Sequence, residues 1–114
     1  MNQRLLSRVT LETQLRSALP QNELALHFQA QVDTASGRLT GAEALLRWQH
    51  EGQNIPPDQF IPVAEDTGLI IAIGDWVIDR AIAQILEWRH LYGDIPPIAI
   101  NLSPRQFWRP ALSH

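Results

Sequence analysis

The stretch GAEALLRW, residues 41–48, is the most informative part of this 114-residue chain. Its small and apolar residues predict a β-strand, whose alternation places Glu43, Leu45 and Arg47 on one face. A carboxylate and a guanidinium inside an apolar segment cost free energy unless something binds them. At about 3.3 Å per residue, Glu43 and Arg47 lie roughly 13 Å apart, too far for a tight ion pair in a straight strand. The strand therefore indicates either a site with separate partners for the two charges or a strand edge with solvated charges.

Four polar residues are candidates for chemistry, each with a simpler alternative. Glu43 could ligate a hard divalent cation through oxygen, and Arg47 could hold a phosphate through two parallel hydrogen bonds. Asn101, at the end of a predicted strand, offers an amide carbonyl as a ligand, and an Asx-type contact at the following turn is the alternative. Gln29 lies on the first predicted strand, where simple solvation would explain it. The four histidines, at positions 27, 50, 90 and 114, show no metal-ligand spacing and are expected on the surface or in loops.

The composition excludes several classes of protein. Hydrophobic residues make up 45% of the chain, which suffices for one small domain with a core. A net charge of −3 leaves no basic footprint for duplex nucleic acid. There is no cysteine, so disulfides, thiolate zinc sites and cysteine nucleophiles are excluded. No apolar run approaches the ~20 residues of a membrane span. We expect no membrane segment in this chain and a cytoplasmic location.

The hydrophobic pattern predicts an α/β fold, because strands alternate with helices. A turn cluster at 33–37 separates the first two strands and predicts a hairpin between them. We expect a core stripe along the longest helix at Ile78, Ala81, Ile82, Ile85 and Trp88 or Arg89. The predicted elements are a helix at 10–19, strands at 24–32 and 39–48, a helix at 58–65 broken by Pro62, an apolar connection at 69–73, a helix at 75–92, a strand at 98–102 and a helix start at 103.

Five segments of the chain resemble the EAL domain family, the cyclic di-GMP phosphodiesterases. The triplet Glu-Ala-Leu at 43–45 matches the signature of the family, and four other segments agree with it in order and spacing. The resemblance runs from about residue 10 to the C-terminus. Two departures are Ala30 in place of the usual Pro, and a slightly short loop at 51–55 with Glu51 where Pro is common. The other matching segments are HFQAQVD at 27–33, PDQFIPVAEDTG at 57–68, IGDWV at 73–77 and NLSPRQF at 101–107.

The resemblance implies a fold, a reaction and a set of site residues. The fold is a modified TIM (β/α)8 barrel with an antiparallel first strand, of which about three strands are present here. The reaction is hydrolysis of cyclic di-GMP to linear pGpG by a metal-activated water. Glu43 and Asn101 are implied as ligands to Mg²⁺ or Mn²⁺. Gln29, Leu45 and Arg47 are implied as substrate-binding residues, with Arg47 on a phosphate.

The length of the chain limits these expectations. A (β/α)8 barrel takes ~250 residues, so we expect 10–114 to be the N-terminal portion of the domain and 1–9 a linker or the end of an upstream helix. The remaining metal ligands of the family are absent, and we expect the fragment alone to be inactive. Its exposed barrel edge is expected to favour a homo-oligomer or a domain swap. The alternative functions are a non-catalytic EAL-like receptor for cyclic di-GMP and a protein-interaction module.

Overall fold

A computed structural model describes residues 3–101, with side chains from Ser7 onward. No helix in this described part is long and apolar enough to cross a membrane. In chain order the elements are α1 (Gln3–Ala18), β1 (Leu24–Val32), β2 (Leu39–His50), β3 (Gln53–Ile55), α2 (Pro57–Thr67), α3 (Leu69–Tyr92) and β4 (Ile98–Ile100).

Strand β2 is the centre of the sheet and pairs with β1, β3 and β4. β1 runs antiparallel to it through a hairpin, with His27 opposite Leu45. β4 runs parallel to β2, with Ala99 opposite Glu43, and the short β3 runs antiparallel to the end of β2. Helices α2 and α3 connect the parallel strands. The predicted α/β class and the antiparallel first strand are therefore confirmed.

One face of the sheet packs against the helices and forms the core. Leu46 and Trp48 of β2 point to this face and are 4% and 1% exposed. The Trp48 ring packs edge-on against Phe60 of α2, with ring centroids 5.3 Å apart. Phe28 of β1 packs in the same way against Trp88 of α3, at 4.9 Å. The remaining members of the core cluster are Leu15, Ala18, Leu24, Val63, Ala64, Ile70, Ile73 and Val77.

Helix α2 is continuous through Pro62, contrary to the predicted break. A proline at this position removes the N–H that would bond to the carbonyl of Asp58. Both residues are exposed, so water can hydrate that carbonyl and the helix tolerates the loss. The helix ends at Gly68, whose φ of 82° is the left-handed conformation that suits glycine after a helix.

The predicted apolar connection at 69–73 is wrong, because these residues form the first turns of α3. Ile70, Ile73 and Val77 recur at helical spacing and are all buried. Within the predicted stripe, Ile78 and Ala81 are buried, and Ile85 and Trp88 are half-buried. Ile82 is 48% exposed, and Arg89 is also exposed. The buried face of α3 is thus set by its early turns.

The ends of the other elements differ modestly from prediction. α1 extends upstream to Gln3, and β4 ends at Ile100. β3 was not predicted, because three residues are too few for an alternating pattern to show, and it raises the strand number of the described part to four. Residue 102 of the predicted last strand and the helix start at 103 lie outside the described residues.

Candidate functional site

The candidate site lies on the sheet face opposite the helices. Glu43, Leu45 and Arg47 are half-buried on this face of β2, and Gln29 is exposed on the same face of β1. Gln29 stands directly opposite Glu43 across the strand pair, where facing Cβ atoms are about 4.5–5.5 Å apart. We call this surface, with Ala99 of β4 on the far side of β2, the open face.

Asn101 follows directly after β4 and is exposed. Because Ala99 is the partner of Glu43, Asn101 lies two residues further along the chain, beside Leu45. In an ideal parallel pair this offset separates the Cα atoms of Asn101 and Glu43 by about 8 Å. Two oxygen-bearing side chains from adjacent strands are therefore in reach of a common ligand.

Neither charge of β2 is neutralised by an ion pair within residues 7–101. The Arg47 guanidinium donates one hydrogen bond, from Nη1 to the carbonyl oxygen of Leu46 at 3.2 Å. A half-buried guanidinium with most of its donors free is well suited to bind an oxyanion. The Glu43 carboxylate and the Arg47 guanidinium are therefore available to bind a ligand or an ion.

A pocket of about 350 Å³ adjoins Arg47 at the start of β1. It lies between the strands of the open face and the turn that joins β2 to β3. Six of the residues that line it are Ala25, His27, Arg47, Gln49, Glu51 and Asn54.

The turn between β2 and β3 contains only two residues, Glu51 and Gly52, because His50 pairs with Gln53. Their φ angles are 53° and 80°. Positive φ at both central residues is what the tight two-residue hairpin of type I′ requires. Proline, fixed near −65°, cannot take this conformation. The short loop seen in the sequence is thus a tight turn, and both of its residues line the pocket.

Glu23 fixes the end of β2 beside Arg47. Its Oε1 accepts a hydrogen bond from the Trp48 indole Nε1 at 3.0 Å, and its Oε2 lies 3.0 Å from His50 Nδ1. The hydrogen bond from Trp48, followed by the interaction with His50, lowers the pKa of the Glu23 carboxyl, although desolvation opposes this. His50 is therefore a mostly buried strand residue, 19% exposed, and its predicted surface or loop position is wrong.

The donor chemistry of the open face fits a hard divalent cation. Glu43 offers a carboxylate and Asn101 an amide carbonyl, both oxygen ligands of the kind that Mg²⁺ and Mn²⁺ accept. Within the described residues there is no group of three or more His, Asp or Glu side chains that could hold a metal ion. These two residues would thus supply part of a coordination shell.

Three residues near the site were not predicted from the sequence to be site residues. His27 lies on the open face next to Gln29 and lines the pocket, and strand alternation alone could have placed it there. Glu51 stood out only as a departure from the family pattern. Glu23 gave no sequence signal, because its partners Trp48 and His50 are 25 and 27 positions away.

Comparison with known proteins identifies a family and its members. The family model of the EAL domain matches residues 12–114. The bifunctional diguanylate cyclase/cyclic di-GMP phosphodiesterase MucR of Pseudomonas aeruginosa is 44% identical over 108 residues, which are 94% of this chain and 16% of MucR. The cyclic di-GMP phosphodiesterase PdeR of Escherichia coli is 41% identical over 107 residues, 93% of this chain and 16% of PdeR. The chain therefore spans a small part of these relatives.

A solved structure shares the fold of the described residues. The PaMucR phosphodiesterase in complex with c-di-GMP superposes with a TM-score of 0.83 at 44% sequence identity. The match covers 91% of this chain and 42% of that one.

Proposed function

Since this chain belongs to the EAL domain family, we propose that residues 10–114 form the N-terminal portion of a domain that binds cyclic di-GMP and hydrolyses it to linear pGpG. The alignment of Gln29, Glu43 and Ala99 on three adjacent strands of the open face supports this most directly. The names of MucR and PdeR as cyclic di-GMP phosphodiesterases support the substrate.

The substrate-binding roles follow from position and charge. Arg47 binds a phosphate of the dinucleotide, because its guanidinium keeps free donors at the end of the open face. Gln29 contributes an amide that can donate to or accept from the ligand. Leu45 lies between Glu43 and Arg47 on the open face of β2 and offers apolar contact to the nucleotide.

Glu43 and Asn101 are the proposed metal ligands of this chain. Bound Mg²⁺ or Mn²⁺ would polarise the scissile phosphodiester and lower the pKa of the attacking water. Glu43 holds its carboxylate on a central strand whose opposite face packs in the core. Packing of the core face restricts the movement of β2, so the Glu43 carboxylate is held in a fixed position.

Two protein oxygen ligands do not complete a metal site. The remaining positions require water, substrate or residues outside 3–101. We therefore expect residues 1–114 alone to show no steady turnover of cyclic di-GMP.

The test is a phosphodiesterase assay of the full-length gene product with Mg²⁺ or Mn²⁺. The unaltered protein is expected to release pGpG, and Glu43→Gln is expected to reduce kcat at least a hundredfold. Glu87→Gln, an exposed glutamate on α3, is the matched control and should keep full activity. Equal rates for Glu43→Gln and the control would contradict the metal-ligand role.

A non-catalytic receptor is the second outcome of the same assay. Binding of cyclic di-GMP by the full-length protein without release of pGpG would assign the open face to ligand sensing. If the full-length protein neither binds nor hydrolyses cyclic di-GMP, the remaining hypothesis is a protein-interaction module.

A further inference from the structure

Glu23 joins two parts of the chain that are distant in sequence, the start of β1 and the end of β2. Its backbone carbonyl accepts a hydrogen bond from the Gln49 N–H at 3.1 Å. Its carboxylate accepts a second hydrogen bond from Trp48 Nε1 at 3.0 Å and lies 3.0 Å from His50 Nδ1. One residue therefore holds the three consecutive residues of β2 that directly follow Arg47.

The environment of the Glu23 carboxylate strengthens these contacts. The side chain is 19% exposed, so little water competes for its oxygens. The hydrogen bond from Trp48 is the main cause that lowers the pKa of the Glu23 carboxyl, which keeps it ionised at neutral pH. Hydrogen bonds to an ionised acceptor are stronger than those between neutral groups. The contacts of Glu23 therefore restrict the movement of the end of β2.

Glu23 acts on Arg47 from the other side of the strand. Trp48 points to the face of β2 opposite to Arg47, and its ring packs against Phe60 in the core, with ring centroids 5.3 Å apart. Arg47 Nη1 donates to the carbonyl oxygen of Leu46 at 3.2 Å. The position of the guanidinium thus follows the backbone of β2, which Glu23 and the core hold in place.

We propose that Glu23 is a positioning residue for Arg47, which fixes the end of β2 so that the guanidinium meets a phosphate of cyclic di-GMP. The inference rests on the proposed function, in which Arg47 binds that phosphate. Two parallel hydrogen bonds to a phosphate require one orientation of the guanidinium, and a strand end that moves loses part of this fit. The charge of Glu23 has the opposite effect, because a nearby carboxylate disfavours a bound anion. The sign of the change in affinity therefore separates positioning from charge.

The test is the affinity of the full-length gene product for cyclic di-GMP, measured by titration calorimetry. Glu23→Ala removes both side-chain contacts, and we expect binding about fivefold to tenfold weaker, within the coupling range of residues in one hydrogen-bonded network. Glu23→Gln also removes the charge but keeps an oxygen that can accept from Trp48, so it should restore part of the affinity. Glu87→Ala, at an exposed position of α3, is the matched control. Stronger binding by either Glu23 variant, or an equal loss in both, would overturn the proposal.

A double-mutant cycle shows whether the effect passes through Arg47. In an Arg47→Ala background, Glu23→Ala should change the affinity less than about twofold, because no guanidinium is left to position. In a Gln29→Ala background, the loss seen in the unaltered protein should remain. Equal losses in the two backgrounds would overturn the positioning role while the proposed function stands. If the unaltered protein does not bind cyclic di-GMP, the proposed function falls together with this role.

Melting temperatures show whether the variants are folded at the temperature of the titration. If Glu23→Ala does not fold, Trp48→Phe provides the same cycle, because it removes one donor to Glu23 and keeps an aromatic ring against Phe60. A loss of affinity in Trp48→Phe that disappears in the Arg47→Ala background supports the proposal. A loss that persists in that background overturns it.

Discussion

Gln29 of β1 and Glu43 of β2 face each other across an antiparallel strand pair, on the sheet surface that the helices leave open. On the same surface Ala99 of β4 flanks Glu43 from the other side. Because β2 is the central strand, a ligand bound at Glu43 can touch three strands at once. The charged residues of β2 are therefore parts of one surface and not isolated features of a strand.

The first prediction concerns the geometry of Arg47. Arg47→Lys keeps the positive charge but loses the planar pair of donors that fits a phosphate. We expect an affinity for cyclic di-GMP at least about tenfold weaker, because hydrogen bonds between charged groups are worth roughly 1.5–3 kcal/mol. Titration calorimetry of the full-length gene product measures it, with the exposed Arg38→Lys as control. Equal affinity in Arg47→Lys would show that charge alone suffices.

The second prediction concerns the pH dependence of stability through Glu23. Its pKa in the folded chain is lowered, first by the Trp48 hydrogen bond and then by His50. A lowered pKa stabilises the fold above the unfolded pKa, near 4.5, and this contribution is lost as the pH falls through the folded pKa. The difference in unfolding free energy between the unaltered chain and Glu23→Gln should therefore shrink as the pH falls below about 4.5.

Chemical denaturation at several pH values measures that difference. Trp48→Phe removes the main hydrogen-bond donor, so the contribution of Glu23 should depend less on pH in that background. A difference that stays constant down to pH 3 would contradict the assigned cause.

The third prediction concerns the close approach of Pro97, the residue before β4, to Gly41. A Cβ at this position would lie 3.1 Å from the carbonyl oxygen of Pro97 and 3.3 Å from Gln31 Oε1. The backbone of Pro97 also accepts a hydrogen bond from Ala42 at 3.1 Å, so it cannot easily withdraw. We expect Gly41→Ala to lower the free energy of unfolding by about 1–3 kcal/mol, the usual cost of overpacking.

Adding Gln31→Ala should restore only part of this loss, because it relieves the side-chain contact and not the backbone one. Denaturation of both single variants and the double variant gives the coupling between the sites. If Gln31→Ala restored the full stability lost in Gly41→Ala, the Pro97 backbone would be able to move away from the added Cβ.

The fourth prediction concerns the cost of Glu51 in its turn. A non-glycine residue with a φ of 53° is strained, and asparagine is favoured at this position of a type I′ turn. Glu51→Asn should raise the free energy of unfolding by roughly 0.5–1 kcal/mol. Thermal unfolding tests the gain. A variant no more stable than the unaltered chain would mean that Glu51 carries no conformational cost.

Strong periodic patterns made much of this fold predictable. The alternation from Leu24 to Val32 gave the bounds of β1 as observed, and the alternation in β2 separated the core residues Leu46 and Trp48 from the open-face residues Glu43 and Arg47. The strand bounds and the separation of faces are local features, because successive side chains of a strand point to opposite faces and the alternation of apolar and polar residues shows which face is buried.

The missed features depend on partners that are distant in sequence or on local solvation. Pro62 is tolerated in α2 because its turn faces water, which a proline rule does not foresee. The burial of His50 comes from Glu23, 27 positions away. The pairing of Ala99 with Glu43 bridges the whole of α2 and α3. The contact of Asn101 with a metal remains a prediction.

The most direct measurement is the affinity of the full-length gene product for cyclic di-GMP in three open-face variants, Gln29→Ala, Glu43→Gln and Arg47→Ala, with and without Mg²⁺. We expect each variant to bind at least about tenfold more weakly than the unaltered protein at an unchanged melting temperature, and Glu43→Gln to lose any gain in affinity that Mg²⁺ confers. Affinities equal to that of the unaltered protein in all three variants would show that the open face is not the site.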